Sequence, residues 1–258
     1  NGTCNAAYDT LVVSFYNTPS AYITSNDSAC AGTYVPFSAT SSTGTGIWTT
    51  SGSGIISPSD TALSGFYIPS ASDNTAGTVI LTFTSTNNGG CQEVQATQTL
   101  VLYPAPTALF TFTTDCAFLP ILFTDGSTTT VGSITSWTWN FGDPGSGVNN
   151  TSAAQNPTHI FATGGTYNVM LIVSSTNGCI DTLIQPVNVL AQPGADFLWS
   201  AGCLNAITAF TDSSTVYGSN VSWSWNFGDL TTSSQQNPGH VYAAPGSYGV
   251  TLIVTSNQ

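Results

Sequence analysis

Not one lysine or arginine occurs in these 258 residues, against twelve acidic residues and two histidines. Ordinary soluble domains are about 25% charged, whereas only 5% of this chain is. That shortage removes several function classes together. Nucleic-acid backbones are held by Lys and Arg, so nucleic-acid binding has no residues to work with. A basic patch for an anionic membrane surface is missing for the same reason. No apolar run approaches the ~20 residues of a spanning helix, so membrane insertion of that kind is not expected either. The same composition leaves trypsin-like proteases without a cleavage site. The net charge of −12 would keep long assemblies from clumping.

What is present is a foldable chain, 41% hydrophobic and long enough for two or three domains. Its six cysteines fall at positions 4, 30, 91, 116, 179 and 203, with no C-x-x-C pair. His159 and His240 stand nowhere near a metal-ligand spacing, so neither a metal nor a cofactor is expected. Wide, regular Cys spacing without metal motifs reads as disulfides and an oxidising, extracellular compartment.

An internal repeat dominates the second half. Residues 136–143 read SWTWNFGD and residues 222–229 read SWSWNFGD. Downstream, Asn156-Pro157-Thr158-His159-Ile160-Phe161 matches Asn237-Pro238-Gly239-His240-Val241-Tyr242. Gly165-Thr166-Tyr167 with Leu171-Ile172-Val173 then matches Gly246-Ser247-Tyr248 with Leu252-Ile253-Val254. Upstream, Cys116 corresponds to Cys203, and Phe123-Thr124-Asp125 to Phe210-Thr211-Asp212. The second copy has a loop about five residues shorter. Short β-branched and aromatic runs alternate with Gly, Asn, Asp and Pro turns, the pattern of an antiparallel β-sandwich. Period-2 alternation sets Trp137, Trp139 and Phe141 on one face. Residues 166–173 read as a long strand packed opposite. No amphipathic helix is visible, and helix is expected only as single turns.

The combination W-x-W-N-F-G-D, N-P-x-H-x-[FY] and G-x-Y-x-V-x-L-x-V resembles the polycystic-kidney-disease (PKD) domain, an immunoglobulin-like sandwich. The resemblance covers residues 105–191 and 192–258. An early Cys paired with Asn-Gly-Cys-Ile-Asp-Thr at 177–182 looks like the variant found in large surface proteins of Bacteroidota. Residues 24–104 lack the N-F-G-D signature, but Gly46-Ile47-Trp48-Thr49-Thr50 and Phe66-Tyr67-Ile68-Pro69 resemble a related immunoglobulin-like repeat. The fold class expected is therefore all-β: tandem Ig-like, PKD-type antiparallel sandwiches in a linear array. Pro-containing joints at 103–106 and 191–194 separate the domains.

Both ends read as parts of domains. The second copy stops at Gln258, where the first copy continues through Cys179 into a last strand from Asp181 to Leu190. Residues 1–23 supply such a strand: Cys4, then Asp9-Thr10-Leu11-Val12-Val13-Ser14-Phe15, parallels Cys179 and Asp181-Thr182-Leu183. Residues 192–258 are thus expected to be completed by residues 1–23 of the next period or of a neighbouring subunit. The alternative is a stray strand and a frayed terminus.

Chemistry is sparse. Neither His has the Ser, Cys or carboxylate spacing of a nucleophile motif; at equivalent strand positions beside the Trp-rich strand, both are expected to be packed and hydrogen-bonded rather than catalytic. Asp143 and Asp229 close the N-F-G-D turns, where an Asp caps backbone N–H groups. A Ca²⁺-ligand role is the alternative. D-[ST]-hydrophobic triplets mark Thr10, Ser28, Thr61 and Thr182, which resemble the O-glycosylation sequon of Bacteroidota. Family habit pairs the cysteines within domains: Cys30–Cys91, Cys116–Cys179, and Cys203 with Cys4 of the next period. Strand counting instead pairs successive domains: Cys30–Cys179, Cys116 with a neighbour's Cys4, and Cys203 with a neighbour's Cys91. The function the resemblance implies is a structural or adhesive segment of an extracellular surface fibre. Its partners would be identical repeats or subunits end to end, with surface glycans as further candidates. The alternative is a carbohydrate-binding accessory module of a secreted protein.

Overall fold

The computed structural model describes residues 3–4, 6–200, 202–218 and 220–257. Asn1-Gly2 and Gln258, parts of the two end readings, lie outside the described residues. Two compact units result: Asn1–Thr107 with Thr128–Thr135 and Ser174–Asp181, and Ala108–Ser127 with Ser136–Val173 and Thr182–Gln258.

The first unit holds a two-sheet sandwich. Its elements are β1 (Ala21–Ser25), β2 (Ser28–Cys30), β3 (Val35–Ser41), β4 (Gly46–Thr50), β5 (Ile55–Ser57), β6 (Ser64–Ile68), α1 (Ala71–Ala76), β7 (Thr78–Ser85) and β8 (Gln95–Tyr103). One sheet has the order β1-β3-β6-β5 and the other β2-β8-β7-β4. Pairing is antiparallel except for β2 and β8, which run parallel with Cys30 opposite Tyr103. Alternation on each strand selects the core: Val35, Phe37 and Ala39 from β3 meet Val79, Leu81 and Phe83 from β7. Trp48 lies between them, its ring centroid 4.5 Å from Phe37 and 5.0 Å from Phe83. Its indole N–H donates to the Ala62 carbonyl at 2.9 Å. Each of these large side chains contributes about 1.5–3 kcal/mol on burial.

The helix α1 has six residues and so exceeds the single turn expected. Ser70 and Asp73 form a reciprocal capping box, and Gly77 closes the C-terminus at φ 75°. Asp73 is 4% exposed. Its carboxylate accepts from the Tyr67 hydroxyl at 2.7 Å, the Ser70 N–H at 2.9 Å and the Ser53 N–H at 2.9 Å.

The strand expected at residues 9–16 does not form: residues 6–20 have no regular structure. A strand exists only against a partner edge, and no described strand of this chain pairs with them.

The two copies of the repeat are built alike. The first comprises β9 (Phe110–Phe112), β10 (Pro120–Asp125), β11 (Ile134–Asn140), a 3₁₀ stretch Pro144–Asn150 broken at Gly147, β12 (Thr151–Ser152), β13 (Thr158–Ile160), β14 (Gly165–Ser175) and β15 (Ile180–Val189). The second comprises β16 (Phe197–Trp199), β17 (Ile207–Asp212), β18 (Asn220–Asn226), β19 (Thr232–Ser233), β20 (Gly239–Val241) and β21 (Thr251–Asn257). Sheet orders are β13-β10-β9 with β12-β11-β14-β15, then β16-β17-β20 with β19-β18-β21. The long strand β14 therefore lies beside the Trp-bearing β11 rather than opposite it. The two strands send Trp139 and Val169, Leu171 and Val173 into the same core, which Ile121 and Phe123 of β10 enter from the other sheet. Trp139 sits 5.1 Å from Phe110 and 5.7 Å from Phe123. The equivalent Trp225 sits 5.1 Å from Phe197 and 5.6 Å from Phe210.

Candidate functional site

The polar residues of the repeated signature are consumed by the fold itself. Asn140 and Asn226 each accept the N–H of the second residue on, Gly142 and Gly228, at 2.9 Å. Those glycines have φ of 69° and 80°, and a side chain there would meet a backbone oxygen at 2.6 and 2.7 Å. Only Gly satisfies both conditions. Asp125 accepts the Trp137 indole N–H at 2.8 Å and the Ser127 N–H at 3.0 Å. Asp212 repeats this with Trp223 and Ser214 at the same two distances. Burial pushes both carboxyls up, but the Ser127 and Ser214 hydrogen bonds, with those from Gln and Trp side chains, hold them below the ordinary value. Asn156 and Asn237 accept the N–H groups of Asp125 and Asp212 at 2.9 and 2.8 Å.

His159 and His240 lie on β13 and β20, which pair with β10 and β17. They are therefore in the sheet opposite the Trp-bearing strand, not beside it. Each ring stacks on the signature Phe: His159 on Phe141 at 4.3 Å and 7°, His240 on Phe227 at 4.2 Å and 4°. Nε2 of His159 meets Asp143 at 3.1 Å, and Nε2 of His240 meets Asp229 at 2.8 Å. Asp229 also caps the turn as expected, accepting the Thr231 N–H at 3.1 Å. The Thr231 hydroxyl, then His240, lower its pKa to about 2. Asp143 makes no such cap. The longer loop of the first copy brings Asn150, whose side chain instead accepts the Asp143 N–H at 2.7 Å. No group of three His, Cys, Asp or Glu side chains that could hold a metal ion occurs among the described residues.

Cys30 and Cys179, both in the first unit, form a disulfide with Cα atoms 5.5 Å apart. This is the pairing between successive domains that strand counting gives. Cys30 ends β2 beside the exit of β8, and Cys179 lies in the turn that leads into β15. Cys4, Cys91, Cys116 and Cys203 are free in this structure. Thr10, Thr61 and Thr182 are exposed, whereas Ser28 is half-buried and donates to Asp27 at 3.2 Å.

Sequence reasoning missed two features. The buried Asp73–Tyr67 pair was signalled only by Ser70-x-x-Asp73, an N-cap pattern. The other is an open groove of about 580 Å³ in the second copy, lined among others by Phe197, Trp199, Cys203, Phe210, Tyr248 and Val250. Trp199 is 68% exposed there.

A family described as PKD domain matches residues 103–189 and 192–258. The collagenase ColA of Bacillus cereus is 49% identical over 41 residues, which are 16% of this chain and 4% of that protein's length. The PKD1 domain of the Vibrio cholerae metalloprotease PrtV is 30% identical, covering 34% of this chain and 99% of that one, with a TM-score of 0.30. The PKD1 domain of Vibrio anguillarum Epp is 27% identical, covering 34% and 96%, with a TM-score of 0.30. The three N-terminal domains of the bacteriophage RB49 outer capsid protein Hoc are 13% identical, covering 86% and 80%, with a TM-score of 0.34.

Proposed function

Because the chain belongs to the PKD-domain family, we propose that it is a structural or adhesive segment of an extracellular, repeat-built fibre and has no catalytic activity of its own. Its all-β sandwiches and its formed disulfide fit a secreted protein. The observation that carries the reading is the Cys30–Cys179 bond, which ties one repeat covalently to the next. A fibre under tension gains resistance to extension from such a tie. The signature residues agree with it: His159, His240, Asp125 and Asp212 all spend their polar atoms on internal hydrogen bonds. Glycans on exposed Thr10, Thr61 and Thr182 would add polar cover to a surface poor in charge. The setting we infer is the surface of a bacterium of the Bacteroidota type.

Single-molecule pulling tests the reading. Oxidised chains should unfold in discrete steps, with the 149-residue span between the two cysteines withheld from extension. Reduction should release that span, adding about 50 nm of contour at roughly 3.6 Å per residue. A smooth, featureless extension in both states would remove the mechanical reading. Retention of the chain on a glycan array, abolished by Trp199→Ala, would favour a carbohydrate-binding module instead.

A further inference from the structure

We infer that the outer face of the β1-β3-β6-β5 sheet is a binding platform for a neutral polysaccharide, with the rings of Tyr22 and Phe66 at its two ends. The face follows from alternation. Ala21 and Ile23 of β1, Phe37 and Ala39 of β3 and Tyr67 of β6 pack into the core of the first sandwich. Their neighbours along the same strands therefore point outward. Register sets these outward residues in rows across the strands. Tyr22 stands beside Thr40 in the first row. Thr24, Ser38 and Ser64 make the second, and Pro36, Phe66 and Ser57 the third. Two rows that each carry a ring thus flank a middle row made only of hydroxyls.

Tyr22 is 67% and Phe66 50% exposed. Neither ring joins the aromatic cluster of this sandwich, where Trp48 meets Phe37 and Phe83. Phe66 borders a shallow depression of about 590 Å³ that Pro36, Ser57, Pro58 and Ser64 also line. From Tyr22 to Phe66 the diagonal crosses two strand spacings and four residue steps, about 16 Å in all. That is the length of a short oligosaccharide. The hydroxyls of Thr24, Ser38, Thr40, Ser57 and Ser64 have no hydrogen-bond partner among the described residues. Ser41, at the end of β3, shows the contrast: its hydroxyl donates to the Thr45 carbonyl at 2.8 Å.

Charge decides the occupant. None of the residues in the three rows is charged, and the chain has no Lys or Arg to pair with an anion. A phosphate or an acidic glycan would find no counter-charge here. A protein partner calls for a continuous apolar centre, whereas the hydroxyl row parts these two rings. The surface fits a ligand that itself alternates apolar C–H faces with hydroxyl edges. A pyranose ring stacks its C–H face on Tyr or Phe while its hydroxyls exchange hydrogen bonds with Ser and Thr. The opposite face of the same sandwich is the internal comparison. Thr49, Thr82 and Thr97 form a row there. Ile47 and Ile80 are its exposed apolar side chains, with no exposed ring among the described residues. It offers hydroxyls without a stacking surface.

Such a ligand serves the adhesive part of the fibre reading, and the inference rests on that reading for its setting. Affinity electrophoresis of the full chain through gels holding hydroxyethyl cellulose, xylan, mannan or alginate is the test. At least one of the three neutral polymers should retard the chain, and alginate, a polyanion, should not. Tyr22→Ala and Phe66→Ala should each weaken retention by about 10-fold, and together abolish it. Ser38→Ala combined with Ser64→Ala should weaken it by about 5-fold. Tyr22→Phe keeps the ring and should keep most of the retention, which separates loss of stacking from loss of fold. Ile80→Ala, on the opposite face, should change nothing. Free passage through all three neutral gels would overturn the inference, as would retention indifferent to both rings. Retention lost in Trp199→Ala but kept in Phe66→Ala would place binding in the second copy and equally overturn it. So would self-association of the chain that Phe66→Ala abolishes, since the face would then belong to a second copy of this chain. The pulling experiment reads the Cys30–Cys179 bond and needs no ligand, so failure here leaves the fibre reading standing.

Discussion

The substitution Asp73→Asn removes one charge from a buried knot while leaving its shape almost intact. Burial, the largest single influence on this carboxyl, pushes its pKa up. Hydrogen bonds from the Ser70 and Ser53 N–H groups and the Tyr67 hydroxyl outweigh it and hold the pKa at about 2, against 3.8 ordinarily. An asparagine has one acceptor oxygen in place of two, so its amide NH₂ must face either the Ser53 N–H or the Ser70 N–H. A Tyr67 hydroxyl can rotate to accept, but a backbone N–H has no such freedom. One buried donor stays unpaired, at a cost of about 1–3 kcal/mol, and the remaining bonds lose their charge assistance. The first sandwich should lose roughly 3 kcal/mol in all.

The pH dependence of stability depends on the same carboxylate. A carboxyl whose folded pKa lies below its unfolded value contributes stability above the unfolded value, and that stability is lost as pH falls through the folded one. For Asp73 the window is pH 4 down to about 2, and the lowered pKa is worth on the order of 2 kcal/mol. The gap between wild type and Asp73→Asn should therefore narrow by that amount between pH 5 and pH 2. Urea unfolding of the full chain, with hydrogen exchange read in peptides from residues 64–85, isolates this sandwich from Asp125 and Asp212, whose lowered pKa values act in the other repeats. A gap that stays constant across that range, or a cost under about 0.5 kcal/mol, would refute the account of the buried carboxylate.

The remaining predictions concern the repeat signature. His159→Ala should destabilise the first copy by about 2–3 kcal/mol through loss of the Phe141 stack and the Asp143 hydrogen bond; thermal denaturation and hydrogen exchange of residues 136–161 read this directly. His240→Ala should cost about half as much, because its side chain is 14% exposed against 3% for His159. Gly142→Ala should cost about 2–4 kcal/mol, since a positive φ and a backbone clash add. Gly178→Ala is the control: its φ is 77° but nothing lies within 4 Å of the added carbon, so about 1–2 kcal/mol is expected. Equal costs at the two glycines by urea denaturation would show that crowding by Asn168 plays no part.

Much of this was legible in the amino-acid order because period-2 alternation and turn chemistry act locally. Trp137, Trp139 and Phe141 share a face, and Asn-Phe-Gly-Asp specifies a left-handed turn, whatever the rest of the chain does. What local rules leave open is adjacency. Alternation says that Val169, Leu171 and Val173 point inward, and it says the same whether their strand lies beside Trp139 or across from it. The placement of β14 was accordingly misjudged, and His159 was set beside the wrong strand. The cysteines were an exception, because a covalent bond imposes a distance. A spacing of about 4.4–6.8 Å between Cα atoms let strand counting set Cys30–Cys179 beside the intradomain scheme, and the structure forms that pair in place of Cys30–Cys91 and Cys116–Cys179.

Residues 9–16 carry the composition and alternation of a strand, yet in this chain they have no edge to pair with and form none. Residues 246–250 match the start of β14 closely, with Gly-x-Tyr-x-Val in both copies, and yet lack its regular structure. A β-strand is a property of a pair, since its N–H and C=O groups are satisfied only across to a neighbour. The same sequence is therefore a strand where the neighbour is supplied and irregular chain where it is not.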